Sequence, residues 1–193
     1  MFPGVEESVL RWDEQAGQYY RHMFYRHEPD LNLAHPPVIA EIENIITFWL
    51  QAGVSGFRLD AASHLVKQAG KGDEARGYPL LNHLRLVVQR LNPEAILLGE
   101  VDVAVEDYRH YFGHSDRLQM VLNFWLNKYL YLSLAQQRAA SVVKALQALV
   151  TPPDGCSFVN WLRNHDELDL EGIGERNKRQ VIRTFAPDKS MSV

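Results

Sequence analysis

Helical patterns that alternate with short apolar runs restrict the fold of this chain more than any other feature. The helical patterns cover 38–50, 80–91 and 142–150, and the apolar runs that follow them cover 54–60, 95–100 and 157–162. Apolar residues recur at helical spacing in the first set. The second set is nearly continuous, which is typical of strands buried on both faces. With a fourth run at 120–125, the alternation predicts an α/β fold with a parallel sheet.

Prolines mark the predicted ends of these helices. Pro36-Pro37 and Pro79 suit helix starts, whereas Asn92-Pro93 and Pro152-Pro153 suit helix ends. The polar, glycine-rich stretch 66–79 predicts a loop above the sheet.

Charge and cysteine content exclude several classes of function. The 193 residues carry 20 Lys and Arg against 24 Asp and Glu, a net charge of −4, which argues against a nucleic-acid partner. No apolar run approaches the roughly 20 residues of a membrane span, and residues 1–8 show no secretory signal. Cys156 is the only cysteine, so an intrachain disulfide and two-cysteine zinc motifs are excluded. We therefore expect one domain over 1–193 in the cytoplasm, with no membrane contact.

Polar side chains follow the apolar runs, at the strand ends where α/β folds place their sites. They include Asp60, Glu100 and the cluster at 164–166. Arg58 lies two residues before Asp60, on the same strand face, and favours the ionised carboxylate that a nucleophile requires. A glutamate that ends an apolar strand is favoured in its protonated form, which suits a general acid. A structural ion pair, a solvent-facing Glu and a helix-capping turn remain open as alternatives.

Three segments resemble signature regions of the α-amylase (family 13) glycoside hydrolases, in the family's order. They are 56–64 (GFRLDAASH), 97–101 (LLGEV) and 158–166 (FVNWLRNHD), and 28–32 (EPDLN) resembles an auxiliary motif. The resemblance covers about residues 11–190. It implies part of a (β/α)8 TIM barrel, with strands four to seven and their helices. The first three strands, the last strand and the C-terminal β-sandwich are then absent from this partial catalytic domain.

The resemblance also implies roles for individual residues in a retaining double displacement. Asp60 is the nucleophile that forms a β-glucosyl–enzyme intermediate, Arg58 keeps it ionised, and Glu100 is the general acid/base. Asp166 is the third carboxylate, which holds sugar hydroxyls and favours a distorted ring. His165 would bind the same sugar, and His64 would contact the neighbouring subsite.

The implied partner is an α-glucoside such as maltose or a maltooligosaccharide. Segments 19–32, 162–168 and 185–191 resemble the trehalose synthases, which are maltose α-glucosyltransferases, whereas 61–64 (AASH) is closer to the amylases. Interconversion of maltose and trehalose and hydrolysis of α-glucans or oligosaccharides therefore both stay open. No cofactor or metal ligand is expected in this chain, because the family's calcium ligands lie largely in the N-terminal part that it lacks.

Other interpretations concern single residues and the whole chain. His22 and His27 are predicted on one helix, where a spacing of five suits zinc poorly. Trp49, Phe57 and Trp125 are predicted in the core, with Trp161 and Tyr111 as sugar platforms. A non-catalytic amylase-like domain or an inactive fragment is the alternative function. Open strand edges make self-association possible.

Overall fold

The computed structural model describes residues 8–166, 168–188 and 190–191. Residues 1–7, where we expect no secretory signal, lie outside the described residues, as do Glu167 and Lys189 of the motifs at 162–168 and 185–191. The elements in chain order are β1 (Leu10–Asp13), β2 (Gln18–Arg21), α1 (Pro36–Gln51), β3 (Gly56–Leu59), α2 (Ala62–Ala69), α3 (Glu74–Gly77), α4 (Pro79–Leu91), β4 (Ile96–Gly99), α5 (Tyr108–Phe112), β5 (Met120–Leu122), α6 (Phe124–Gln136), α7 (Ala140–Ala148), β6 (Ser157–Val159) and α8 (Glu175–Phe185).

Strands β3 to β6 form one parallel sheet in chain order. β3 pairs with β4, β4 with β5, and β5 with β6. Helices connect each strand to the next, as parallel neighbours require. The predicted α/β fold with a parallel sheet is therefore confirmed, and this sheet is part of a barrel. β1 and β2 form a separate antiparallel hairpin ahead of it.

The main core lies between the sheet and the helices that cover it. It contains Ile46 of α1, Val66 of α2, Leu81 of α4, and Leu97 and Val121 of the two central strands. A second, smaller cluster joins α6 to α8 through Leu132 and Val181. These side chains pack one face of each helix against the sheet. The polar residues follow the strands, outside this core.

The stretch 66–79 is not the predicted loop. It contains the end of α2, all of α3 and the start of α4. Val66 is fully buried, and a Cβ on Gly77 would lie only 1.7 Å from the Val66 carbonyl oxygen. The glycine at 77 therefore permits close packing between two short helices, whereas the sequence pattern suggested a flexible connection.

Two predictions for aromatic residues are wrong. Trp49, predicted in the core, is 48% exposed on the outer side of α1, next to exposed Phe48. Tyr111, predicted as a sugar platform, is fully buried because α5 inserts it into the core. Phe57 and Trp125 pack against the core as predicted.

The histidine pair is also placed differently from the prediction. His22 follows directly after β2 and is buried, and His27 lies in a turn beyond it, so neither is on a helix. Within the described residues, no group of three or more His, Cys, Asp or Glu side chains could hold a metal ion. No helix in this part of the chain is long and apolar enough to cross a membrane.

Candidate active site

Three acidic residues lie at the carboxyl edge of the parallel sheet. Asp60 directly follows β3, Glu100 directly follows β4, and Asp166 lies on the loop after β6. All three line one open cleft of about 450 Å³. Parallel strands bring their carboxyl ends to one edge, so residues 106 positions apart in sequence converge there.

Arg58 joins two of these carboxylates. Its Nη1 lies 2.5 Å from Asp60 Oδ1, and its Nη2 lies 3.0 Å from Glu100 Oε1. Asp60 is 75% exposed and Glu100 only 16%. The contacts therefore leave the Asp60 carboxylate open to a ligand, while Glu100 lies deeper in the cleft.

The charge of Arg58 is stabilised by all three acids. Burial lowers the pKa of the guanidinium, but the charges of Glu100, Asp60 and Asp166 and the hydrogen bond to Asp60 outweigh it and raise that pKa above its ordinary value. A permanently charged guanidinium lowers the repulsion between neighbouring carboxylates.

Glu100 is also bound to the start of α2. The backbone N–H of Ala61 donates to Glu100 Oε2 at 2.9 Å, and the N–H of Ala62 donates to the Glu100 carbonyl at 2.8 Å. The Glu100 N–H donates in turn to the Leu59 carbonyl. The end of β4 is thus tied to the segment that carries Asp60.

Asp166 is placed by a local turn. Asn164 donates through its side-chain amide to Asp166 Oδ2 at 2.9 Å, and its side-chain oxygen accepts from the Asp166 N–H at 3.1 Å. His165 Nε2 lies 3.4 Å from Asp166 Oδ1, and His165 also lines the cleft. The turn therefore presents one carboxylate and one imidazole to the same space.

Helix α6 supports the loop that leads to this turn. The buried Asn127 donates through its side-chain amide to the carbonyls of Trp161 and Leu162, at 2.8 and 3.1 Å. Asn123, which lies between β5 and α6, caps α6 by accepting from the Leu126 N–H and donates to Asn160. Asn123 is thus a buried structural residue outside the cleft.

His64 lies on the first turn of α2 and lines the cleft with its ring against Phe24, at a centroid distance of 5.3 Å. Burial, aided by the charges of Lys67 and Arg21 and opposed by Asp30, lowers the pKa of His64 below its ordinary value. A neutral imidazole can both donate and accept a hydrogen bond, as contact with sugar hydroxyls requires.

Several lining residues were missed by reasoning from sequence. Asp102, two positions after Glu100, lines the cleft, and so does Phe124. Glu28, the first residue of the auxiliary motif at 28–32, also lines it, although the motif gave this residue no role. Desolvation raises the pKa of Asp102, Lys128 opposes the shift, and the charges of Asp169 and Glu100 add to it. The spacing of two from Glu100 was the only signal for Asp102. Trp161 packs on Phe124 and lines an adjoining recess beside Arg58.

Comparison with known proteins identifies the family of the chain. The model of the α-amylase catalytic domain family matches residues 4–181. A trehalose synthase of Thermus thermophilus is 33% identical over 196 residues, covering all of this chain and 20% of that protein. A salivary α-glucosidase of Anopheles gambiae is 27% identical, covering 82% of this chain and 32% of that protein.

Solved structures share the fold. An α-amylase from H. orenii superposes with a TM-score of 0.63 at 24% identity, over 92% of this chain and 36% of that one. The α-glucosyl transfer enzyme XgtA gives a TM-score of 0.61 at 22% identity, over 82% and 34%. The chain spans about a fifth to a third of the length of the curated relatives it matches. With the family match over most of its length, this chain belongs to the α-amylase catalytic domain family.

Proposed function

We propose that this chain carries the catalytic acids of an enzyme that breaks and forms α-glucosidic bonds with retention of configuration. The observation that carries the proposal is the meeting of Asp60, Glu100 and Asp166 in one cleft, with Arg58 in contact with the first two. Retaining glycosidases require two neighbouring carboxyl groups, one as nucleophile and one as acid/base.

In the first step, Asp60 attacks the anomeric carbon while Glu100 donates a proton to the departing oxygen. The glycosidic bond breaks, and an ester bond to Asp60 forms. In the second step, Glu100 accepts the proton of water or of a sugar hydroxyl, whose oxygen attacks the same carbon and releases Asp60. Asp166, His165 and His64 bind hydroxyl groups of the substrate. No metal or cofactor is needed for either step.

We propose maltose or a maltooligosaccharide as the substrate. Trehalose synthases are among the relatives that cover the whole chain, and an α-glucosidase covers most of it. These names support a disaccharide-sized α-glucoside and leave transfer and hydrolysis as the two outcomes. The chain is then one partial barrel domain of a longer catalytic unit, and its single cysteine favours the cytoplasm as its location.

Covalent trapping tests the nucleophile. The complete gene product that carries this chain would be treated with 5-fluoro-α-glucosyl fluoride, whose ring fluorine slows breakdown of the intermediate. We expect a glucosyl label on the peptide that contains Asp60. Asp60→Asn should lower turnover of maltose by more than about 1,000-fold and abolish labelling, whereas Asp154→Asn, at an exposed position, should change neither.

Product analysis separates the two reactions and the alternative function. With maltose as the only substrate, we expect mostly trehalose with a little glucose, because the first glucose must be retained as acceptor while water is excluded. Almost pure glucose would assign the protein as an α-glucosidase. Neither product, together with no label on Asp60, would favour a non-catalytic amylase-like domain.

A further inference from the structure

We infer that the left-handed backbone of Ala61 is a positioning device for the acid/base Glu100. This inference rests on the proposed function. Ala61 has a φ of 43°, a conformation that costs a residue with a Cβ and is uncommon outside glycine, Asn and Asp. Strained backbone of this kind concentrates at functional sites, where the surroundings hold it in place.

The conformation of Ala61 determines where two consecutive N–H groups point. Ala61 donates to the side chain of Glu100, and Ala62 donates to its carbonyl. A right-handed residue at 61 would turn the peptide plane before it and direct the Ala61 N–H elsewhere. The turn therefore couples the residue after Asp60 to both ends of Glu100.

Glu100 needs such a contact because the terminal torsion of a glutamate is broad. Arg58 binds Oε1, and the Ala61 N–H binds Oε2, so the two donors hold different oxygens of one carboxyl group. One donor on each oxygen restricts rotation of the carboxyl group about its terminal torsion. Each oxygen keeps a second lone pair, which can hold the proton that is transferred to the glycosidic oxygen.

A contact that orients Glu100 predicts an effect on the chemical step. Loss of the Ala61 donor should lower kcat and leave KM nearly unchanged. A purely structural role for Ala61 would instead lower stability and leave kcat per folded molecule unchanged.

The test compares two strained positions in the complete gene product. Ala61→Val places a β-branched residue where left-handed backbone is strongly disfavoured. Gln137→Val does the same at the C-terminal end of α6, where φ is 52°. Gln137 is at the opposite end of α6 from Phe124, the cleft residue, and thus controls for strain alone.

We expect Ala61→Val to lower kcat for maltose by about 100-fold, as removal of one preorganised donor does, with KM within about twofold. Ala61→Gly, which adopts φ of 43° freely, should keep the parental kcat and KM. Gln137→Val should lower the melting temperature without changing kcat per folded molecule.

A second variant removes only the donor, in case Ala61→Val does not fold. Lactic acid incorporated at position 61 replaces the amide by an ester and keeps the methyl side chain. It should reproduce the loss of kcat with KM nearly unchanged. An ester variant with parental kcat would overturn the inference. If Asp60→Asn keeps parental turnover, the proposed function fails instead, and the two failures are distinguished.

Discussion

At the scale of single residues, the positive charge of Arg58 interacts with three acidic side chains of the cleft. The guanidinium contacts Asp60 and Glu100 directly and is stabilised by the charge of Asp166 as well. Because Glu100 is proposed to protonate the departing oxygen, its substitution should slow a substrate with a poor leaving group more than one with a good leaving group.

Glu100→Gln should slow reaction with maltose by about 100- to 10,000-fold, because the departing oxygen then leaves without a proton. Glucosyl fluoride needs no such protonation, so its first step should be nearly unaffected. Pre-steady-state release of fluoride compared with steady-state turnover of maltose measures the two effects. Glu94→Gln, at an exposed position, is the matched control. Equal losses on both substrates would assign Glu100 another role.

His64 should make stability depend on pH. Burial and nearby positive charges lower its pKa in the folded state below the ordinary 6.5 of the unfolded chain. The unfolded chain then binds the proton more tightly, so the contribution of His64 to stability is present above about pH 6.5 and is lost as the pH falls below it. Melting temperatures at pH 5 and 7.5 should differ less in His64→Gln than in the parent. An unchanged difference would contradict this assignment.

At the scale of elements, the sequence predicted the helix ends that proline and its neighbours determine. Pro36 and Pro79 begin helices as expected, and α4 ends before Asn92-Pro93. α6 was missed because its apolar residues occur on all sides of the helix, so no single stripe appears. The run at 120–125 was assigned to one strand because all but one of its residues are apolar. In the structure, β5 stops at Leu122 and α6 starts at Phe124.

The site was predictable to the extent that its residues follow strands. Asp60 and Glu100 stand at strand ends, so the parallel sheet brings them together. Phe24 and Glu28 could not be placed from periodicity, because they belong to the segment between β2 and α1 and reach the cleft only through tertiary packing. The left-handed backbone of Ala61 likewise has no signature in residue type.

Helix α6 should control the position of Asp166. Asn127→Leu keeps the branched shape of the side chain but removes two hydrogen bonds to the loop at 161–162. We expect it to lower the free energy of unfolding by about 1–3 kcal/mol and to reduce turnover as the Asp166 turn loosens. Urea unfolding and maltose turnover measure both effects. Asn44→Leu, exposed on α1, should change neither, and an Asn127→Leu variant with parental values would exclude this supporting role.

At the scale of the whole molecule, the sheet has two open edges within the described residues. β3 pairs only with β4, and β6 only with β5. Neither edge strand contains Lys or Pro, which natural edge strands use against pairing with other chains. Ile45, Phe48 and Trp49 add an exposed apolar face on α1, each about half exposed or more. Such a face marks a contact surface when it is contiguous.

We therefore expect residues 1–193, expressed alone, to self-associate and to show no turnover of maltose or soluble starch. Association follows from the open edges and the α1 face, and inactivity follows because four strands form only part of a barrel around the cleft. Size-exclusion chromatography with light scattering, at two protein concentrations, measures the first, and a glucose-release assay measures the second. Phe48→Lys should weaken association if α1 contributes, whereas Arg90→Lys, at an exposed position that keeps its charge, should leave it unchanged. A monodisperse, active monomer would contradict the prediction and would mean that four parallel strands suffice for the reaction.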